Sequence, residues 1–231
     1  MIVNIHGLME TPAIQIQWSN MNPTADAQGF IVVYPRGVSQ SWNAGSCCGS
    51  AATQKINDVG FIKAVVADVK TKLCVSSRRV YCTGMSNGGY MTHRLACEAN
   101  DIFAAFSPVS GAMGIANCTP GRPVPMLSFH GTSDNLVAYN SGKAALEQWR
   151  TNNECPTTPT KTETYNQSYC DYYEGCQNGA TAVLCTMIPM GHCWPGGSSS
   201  LCTSVPGVGP YNDDINANEY MWNFFKQFTL P

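Results

Sequence analysis

The chain has 231 residues, a formal net charge of −2 and 12% charged residues, roughly half the usual share of about 25%. That length fits one domain with a substantial core, so residues 1–231 are taken as a single domain. A charge this low, without basic or acidic blocks, argues against a nucleic-acid binder or a cation sink, and no apolar run approaches the ~20 residues of a membrane-spanning helix.

Met1 to Ile5 reads as a buried strand ended by His6-Gly7-Leu8. Thr11 to Asn20 is compatible with a helix or an irregular crossing, its periodicity being poor. Phe30 to Tyr34 reads as a second buried strand, stopped by Pro35-Arg36-Gly37. Ser39 to Thr53 is a long loop holding Trp42, Cys47 and Cys48; loops of that length are often functional or tied by disulfides. Asp58 opens a helix whose Phe61, Ile62, Val65, Val66, Val69 and Leu73 recur at three- and four-residue steps. Val80 to Thr83 is a third strand and Tyr90 to Glu98 a helix. Phe103 to Val109 and Pro123 to Phe129 are further strands, and Ala144 to Trp149 lies in a helix. Thr160 to Met187 reads as a hairpin or excursion ending in a strand at Ala182 to Ile188. Gly191 to Pro210 is a Gly/Ser/Pro loop, and a last amphipathic helix starts near Asp213. Strands alternating with helices predict an α/β fold with a mostly parallel sheet covered on both faces, and ligands in such sheets sit at the carboxyl ends of the strands.

Twelve cysteines run from Cys47 to Cys202. No C-x-x-C pair occurs, so metal binding has little support, and the cysteines read as disulfides made in an oxidising, extracellular setting. Asn117-Cys118-Thr119 and Asn166-Gln167-Ser168 are sequons, of consequence only where the source glycosylates. Met1 leads straight into Ile2-Val3-Asn4-Ile5, too short for the apolar core of a leader; if the protein is secreted, its leader lies outside this sequence.

Gly84-Met85-Ser86-Asn87-Gly88, between the third strand and the following helix, has the pattern of a nucleophile elbow. The turn is too tight for side chains at its flanks, and it pushes the serine oxygen out over the sheet edge, beside the backbone N–H groups that open the helix. A Gly-rich turn that happens to hold serine is the plain alternative. A serine needs a base, and the base a carboxylate; in α/β-hydrolases the chain order is Ser, acid, His. Of His6, His93, His130 and His192, only His192 follows the last predicted strand with room for an acid before it. Asp134 is the best-placed acid, after the strand ending at Phe129. Asp171 and Glu174 sit in the excursion, Glu147 and Glu154 belong to or flank a helix, and a capping role is the alternative for Asp134. Negative charge on the attacked carbonyl would be met by the backbone N–H of Asn87 and by that of Leu8.

With these residues in place the sequence resembles secreted feruloyl esterases, acetylxylan esterases and the catalytic domains of polyhydroxybutyrate depolymerases, a group similar to carbohydrate esterase family one. The resemblance rests on Ile5-His6-Gly7, Trp42-Asn43-Ala44-Gly45 with Cys47-Cys48-Gly49, Asp58-Val59-Gly60-Phe61, Gly84-Met85-Ser86-Asn87-Gly88-Gly89, His130-Gly131-Thr132-Ser133-Asp134 and Gly191-His192-Cys193-Trp194-Pro195-Gly196. It implies an α/β-hydrolase fold with Ser86 as nucleophile, Asp134 as acid and His192 as base. Members of the group usually carry two strands before the His-Gly strand, so the expectation is a sheet shortened at one edge or a chain that is part of a longer protein. Disulfides Cys193–Cys202 and Cys155–Cys176 are suggested by position. The expected activity is hydrolysis of feruloyl or, second, acetyl esters on plant cell-wall polysaccharide through an acyl-enzyme on Ser86, with Trp42 and Trp194 lining the substrate pocket. A polyester depolymerase and a catalytically dead, hydrolase-like binding protein are the alternatives. No cofactor, metal, nucleic-acid or membrane partner is expected, and the protein is expected to be a secreted monomer.

Overall fold

The computed structural model describes residues Met1–Pro231. Eight strands, β1 (Ile2–Ile5), β2 (Val32–Val33), β3 (Tyr81–Met85), β4 (Ala105–Val109), β5 (Met126–Gly131), β6 (Lys161–Tyr165), β7 (Ser168–Tyr173) and β8 (Ala182–Met187), form one sheet in the order β2-β1-β3-β4-β5-β8-β7-β6. The strands from β2 to β8 in that order run parallel, while β7 and β6 turn back antiparallel as a hairpin at the far edge. The helices are α1 (Pro12–Ser19), α2 (Asn22–Gln28), α3 (Gly49–Thr53), α4 (Asp58–Lys72), α5 (Asn87–Glu98), α6 (Tyr139–Asn152), α7 (Ser199–Ser204) and α8 (Ala217–Phe225).

Alternation along each strand sends successive side chains to opposite faces, and two separate cores result. Val3 and Phe106 lie in one core with Ile62 of α4, Leu95 of α5 and Trp149 of α6. Their neighbours Ile2 and Ala105 lie in the other with Trp18 of α1 and Met221 and Phe225 of α8. Every residue of β1, β3, β4, β5 and β8 is buried, as expected for parallel strands covered on both sides. The mostly parallel sheet covered on both faces that alternation predicts is therefore the one observed.

Differences from the sequence reading have local causes. The apolar run at 30–34 pairs only through Val32–Val33 and is half-buried, because it is the outer strand and has one neighbour, β1. Residues Thr11 to Asn20 do form a helix: Pro12 opens it and Thr11 Oγ1 accepts from Ile14 N–H at 3.4 Å, a capping arrangement that offsets the weak periodicity. The last helix begins at Ala217, capped by Asn216, whose Oδ1 accepts from the N–H groups of Asn218 and Glu219.

Five disulfides form: Cys47–Cys48, Cys97–Cys118, Cys155–Cys176, Cys170–Cys185 and Cys193–Cys202. Both pairings suggested from position are among them. Cys74 and Cys82 are free.

The first strand of the chain, β1, lies second from one edge of the sheet. β1 is followed by β2 on one side, and β3 then returns to pair on the other. The carboxyl ends of β1 and β3 therefore flank the point where the winding direction reverses, which is where open parallel sheets leave a crevice for ligands.

Candidate active site

Ser86 stands between β3 and α5 at φ 55° and ψ −120°, a backbone conformation rarely held by a non-glycine residue outside such elbows. It is held from both sides: Ser86 N–H donates to the Val109 carbonyl at 3.0 Å, and the Ser86 carbonyl accepts from Tyr90 N–H at 2.9 Å. Glycines are required here because of close approach. A Cβ on Gly84 would come within 2.7 Å of the Ile5 carbonyl oxygen, and one on Gly88 would overlap the same oxygen outright. Gly88→Ala is therefore expected to push β1 and the elbow apart. A loss of about 3 kcal/mol, at the upper end of overpacking costs, should be visible in urea titration, together with loss of activity; a variant as stable and active as the parent would contradict this packing.

His192 lies in the loop after β8, clamped by Gly191 N–H to the Pro210 carbonyl at 2.8 Å and by the neighbouring Cys193–Cys202 disulfide. Its Nδ1 is 2.8 Å from Asp134 Oδ2. A carboxylate only accepts, so Nδ1 carries the proton and Nε2 keeps its lone pair. Asp134 Oδ1 accepts from the N–H groups of Leu136 and Val137, each at 2.9 Å, and the side chain is fully buried. Burial by itself would raise the Asp134 pKa. The hydrogen bond and charge of His192, the Val137 amide and nearby His130 together outweigh it and hold the carboxyl below its ordinary range.

Ser86 and His192 line one cavity of about 440 Å³ together with Leu8, Glu10, Tyr90 and Leu136, within the usual size range of small-molecule sites. Ser86 Oγ and His192 are not hydrogen-bonded to each other; such bonds in ligand-free sites are often long and close when substrate binds. The N–H of Leu8, on the turn after β1, and the N–H of Asn87, first in α5, have no acceptor within the protein. The other acids considered lie apart from this group: Asp171 is mid-strand in β7, bonded by Thr162 Oγ1 at 2.6 Å, and Glu174 is exposed. A larger hollow of 530 Å³ around Ser77, Arg78, Asp101 and Arg122 contains neither serine–histidine nor cysteine–histidine neighbours.

Two expectations need correction. Trp42 and Trp194 do not line the cavity. Trp42 is fully buried, its indole N–H donating to the His6 carbonyl at 3.0 Å. Trp194 is buried too and donates to Asn218 Oδ1 at 3.0 Å. Each ring fills a core and satisfies its one polar atom there, so neither has a free face for substrate.

Several residues in or beside the site have roles there that the sequence reading did not assign. The Cys47–Cys48 disulfide and Trp18 form part of the cavity wall. The Asn87 side chain spans the Trp42 backbone, accepting from its N–H at 2.7 Å and donating to its carbonyl at 3.0 Å, and so ties the 39–53 loop to the elbow. Asp58 completes that anchor by accepting from Asn43 N–H at 2.6 Å. His130 is buried beneath Asp134: its Nε2–H donates to the Val137 carbonyl at 2.8 Å and lies 3.5 Å from Asp134 Oδ2. Burial lowers the His130 pKa, against the opposing pull of the Val137 carbonyl and Asp134. The adjacent cysteines in a long loop were the one sequence signal for the wall; nothing marked Trp18.

Known proteins resemble this chain in sequence and in architecture. The sequence pattern of the prolyl oligopeptidase family matches residues 17–119, a span that contains the elbow but neither Asp134 nor His192. Feruloyl esterase B of Piromyces equi is 30% identical over the whole of this chain and 42% of its own length. The bifunctional acetylxylan esterase/xylanase XynS20E of Neocallimastix patriciarum is 29% identical over 72% of this chain and 24% of its own length. The chain thus spans less than half the length of either relative. The acetyl xylan esterase of Aspergillus awamori superposes with a TM-score of 0.67 over 83% of both chains at 21% identity, which establishes the shared α/β-hydrolase fold.

Proposed function

We propose that this chain is a serine esterase that hydrolyses feruloyl esters, and secondarily acetyl esters, carried on plant cell-wall polysaccharide such as xylan. The observation that supports this most is the His192–Asp134 pair facing the same cavity as an elbow serine, with two unpaired backbone N–H groups beside it. Ser86 Oγ attacks the ester carbonyl as His192 Nε2 takes its proton, and Asp134 holds the imidazole and stabilises its charged form. The oxyanion is met by Leu8 N–H and Asn87 N–H. His192 then protonates the sugar oxygen as its bond to the acyl carbon breaks; water, deprotonated by the same nitrogen, attacks the acyl-enzyme, and that proton passes to Ser86 Oγ as the acid leaves. The walls around Ser86 are mostly apolar, through Leu8, Met85, Leu136 and Val208, which suits a bulky acyl group better than acetyl. The similarity to feruloyl and acetylxylan esterases points the same way. The disulfides fit an extracellular protein, which we take to act as a monomer without a cofactor.

Assay of the purified protein on methyl ferulate, acetylated xylan and polyhydroxybutyrate tests the reading. Methyl ferulate is expected to be the best substrate of the three. Clearing of the polyester without ferulate release would instead assign a depolymerase, and failure to react with a fluorophosphonate probe would assign a dead scaffold.

A further inference from the structure

Three successive amides follow β1. Gly7 N–H donates to Glu10 Oε2 at 2.8 Å, Met9 N–H donates to the Gln40 carbonyl at 2.8 Å, and Leu8 N–H between them is unpaired. The same turn is gripped at its start, where His6 Nδ1–H donates to the Gly7 carbonyl at 2.7 Å and the Trp42 indole to the His6 carbonyl at 3.0 Å. The His6 and Trp42 rings are buried and packed against each other, tilted by 44° with centroids 4.9 Å apart, and Gln40 contributes main chain. Glu10 alone holds the turn with a flexible side chain, and it does so from the wall of the cavity that contains Ser86 and His192.

A carboxylate in that wall is costly. Its surroundings include Leu8, Trp18, Met85 and Val208, and burial raises its pKa, an effect countered by the Gly7 amide and by His192. An apolar side chain would fill the same wall without that desolvation cost. What only a hydrogen-bond acceptor can do there is fix the Gly7 amide, and with it the peptide that aims Leu8 N–H.

We infer that Glu10 is a positioning residue for oxyanion stabilisation: its Oε2 holds Gly7 N–H so that the adjacent Leu8 N–H is presented, unpaired, to the tetrahedral intermediate. The acceptor atom matters, not the negative charge. The inference rests on the reading of Ser86 as nucleophile, and it assigns Glu10 no contact with the reacting atoms.

The test is steady-state hydrolysis of p-nitrophenyl acetate by Glu10→Ala, Glu10→Asp and Glu10→Gln, with inhibition by a trifluoromethyl ketone measured in parallel. Loss of a whole oxyanion donor lowers kcat by about 10²–10³; misdirecting one should cost less. Glu10→Ala and the too-short Glu10→Asp are expected to lower kcat by about tenfold to a hundredfold, with KM within about twofold and ketone affinity falling alongside kcat. Glu10→Gln, which keeps an acceptor oxygen, is expected to stay within about threefold of the parent. Should Glu10→Ala melt too low to assay, the Asp and Gln variants carry the comparison. The inference is overturned by a fully active Glu10→Ala, by a Gln variant as impaired as the Ala variant, or by a loss confined to KM. Ser86→Ala run beside them separates the two levels. An active Ser86→Ala removes the nucleophile reading and this inference with it. An inactive one beside an unimpaired Glu10→Ala removes this inference alone.

Discussion

Ser86→Ala is expected to reduce turnover of methyl ferulate and p-nitrophenyl acetate by about 10⁶-fold, the loss typical of removing the nucleophile of a serine triad. The fold should survive, because the Ser86 hydroxyl has no structural task. The contacts that hold the elbow are made by Ser86 backbone, through Val109 and Tyr90, and alanine keeps both. Binding should also survive, so substrate ought still to slow thermal unfolding of the variant. Reaction with a fluorophosphonate, followed by intact-mass measurement, gives the complementary result: one adduct on the parent and none on Ser86→Ala. Substantial esterase activity in a correctly folded variant would show that another group attacks the ester.

The second large effect is expected at Asp134. Asp134→Asn should lower kcat by about 10⁴-fold while leaving the fold intact. The geometry says why so conservative a change is so damaging. Oδ1 is pinned by the N–H groups of Leu136 and Val137, and only an oxygen can accept from them. The new amide nitrogen is thereby forced into the Oδ2 position, facing His192 Nδ1 at hydrogen-bond distance. There it donates, so Nδ1 must become the acceptor and the ring proton moves to Nε2, where it can no longer take the proton of Ser86. His130 does not rescue the pair, since its own Nε2–H is committed to the Val137 carbonyl. Retention of more than about a tenth of the parent activity would be incompatible with this tautomer argument.

The parts of this site that could be read from the sequence are those governed by chain order and backbone geometry. Ser86 is marked by glycines that the turn cannot do without, and His192 and Asp134 by coming in the required order after strand-like segments. The Leu8 amide is marked by a His-Gly turn closing a buried strand. These features are local, or follow from the order of elements in a parallel sheet. Trp42 and Trp194 failed for the opposite reason: a tryptophan in a loop looks the same in sequence whether its face meets substrate or a core. Only the partners of the two indole nitrogens, His6 and Asn218, decide it, and Asn218 is on α8, distant in the chain. Glu10 acts through one hydrogen bond to main chain and the side chain of Asn87 through two, which leave no periodic trace. The short helices α2, α3 and α7 were missed because segments of five to seven residues owe their helical state to packing more than to propensity.

The disulfides have a consequence for the chain before it folds. Four of them close loops with sequence separations of 21, 21, 15 and 9 residues, all from Cys97 onward, while the pair at Cys47–Cys48 spans a single peptide. In the chain-entropy view a closed loop of 15 residues removes about 3 kcal/mol of freedom from the denatured ensemble. The oxidised unfolded protein is therefore lopsided: its second half is already gathered into loops, and residues 1–96 wander almost unrestrained. Yet the register Ile2 with Tyr81 must be found within that freer half, across nearly the whole of it. The entropy lost in building the junction of β1 and β3, beside the cavity that Leu8 and Ser86 line, is met without help from any long-range covalent tie.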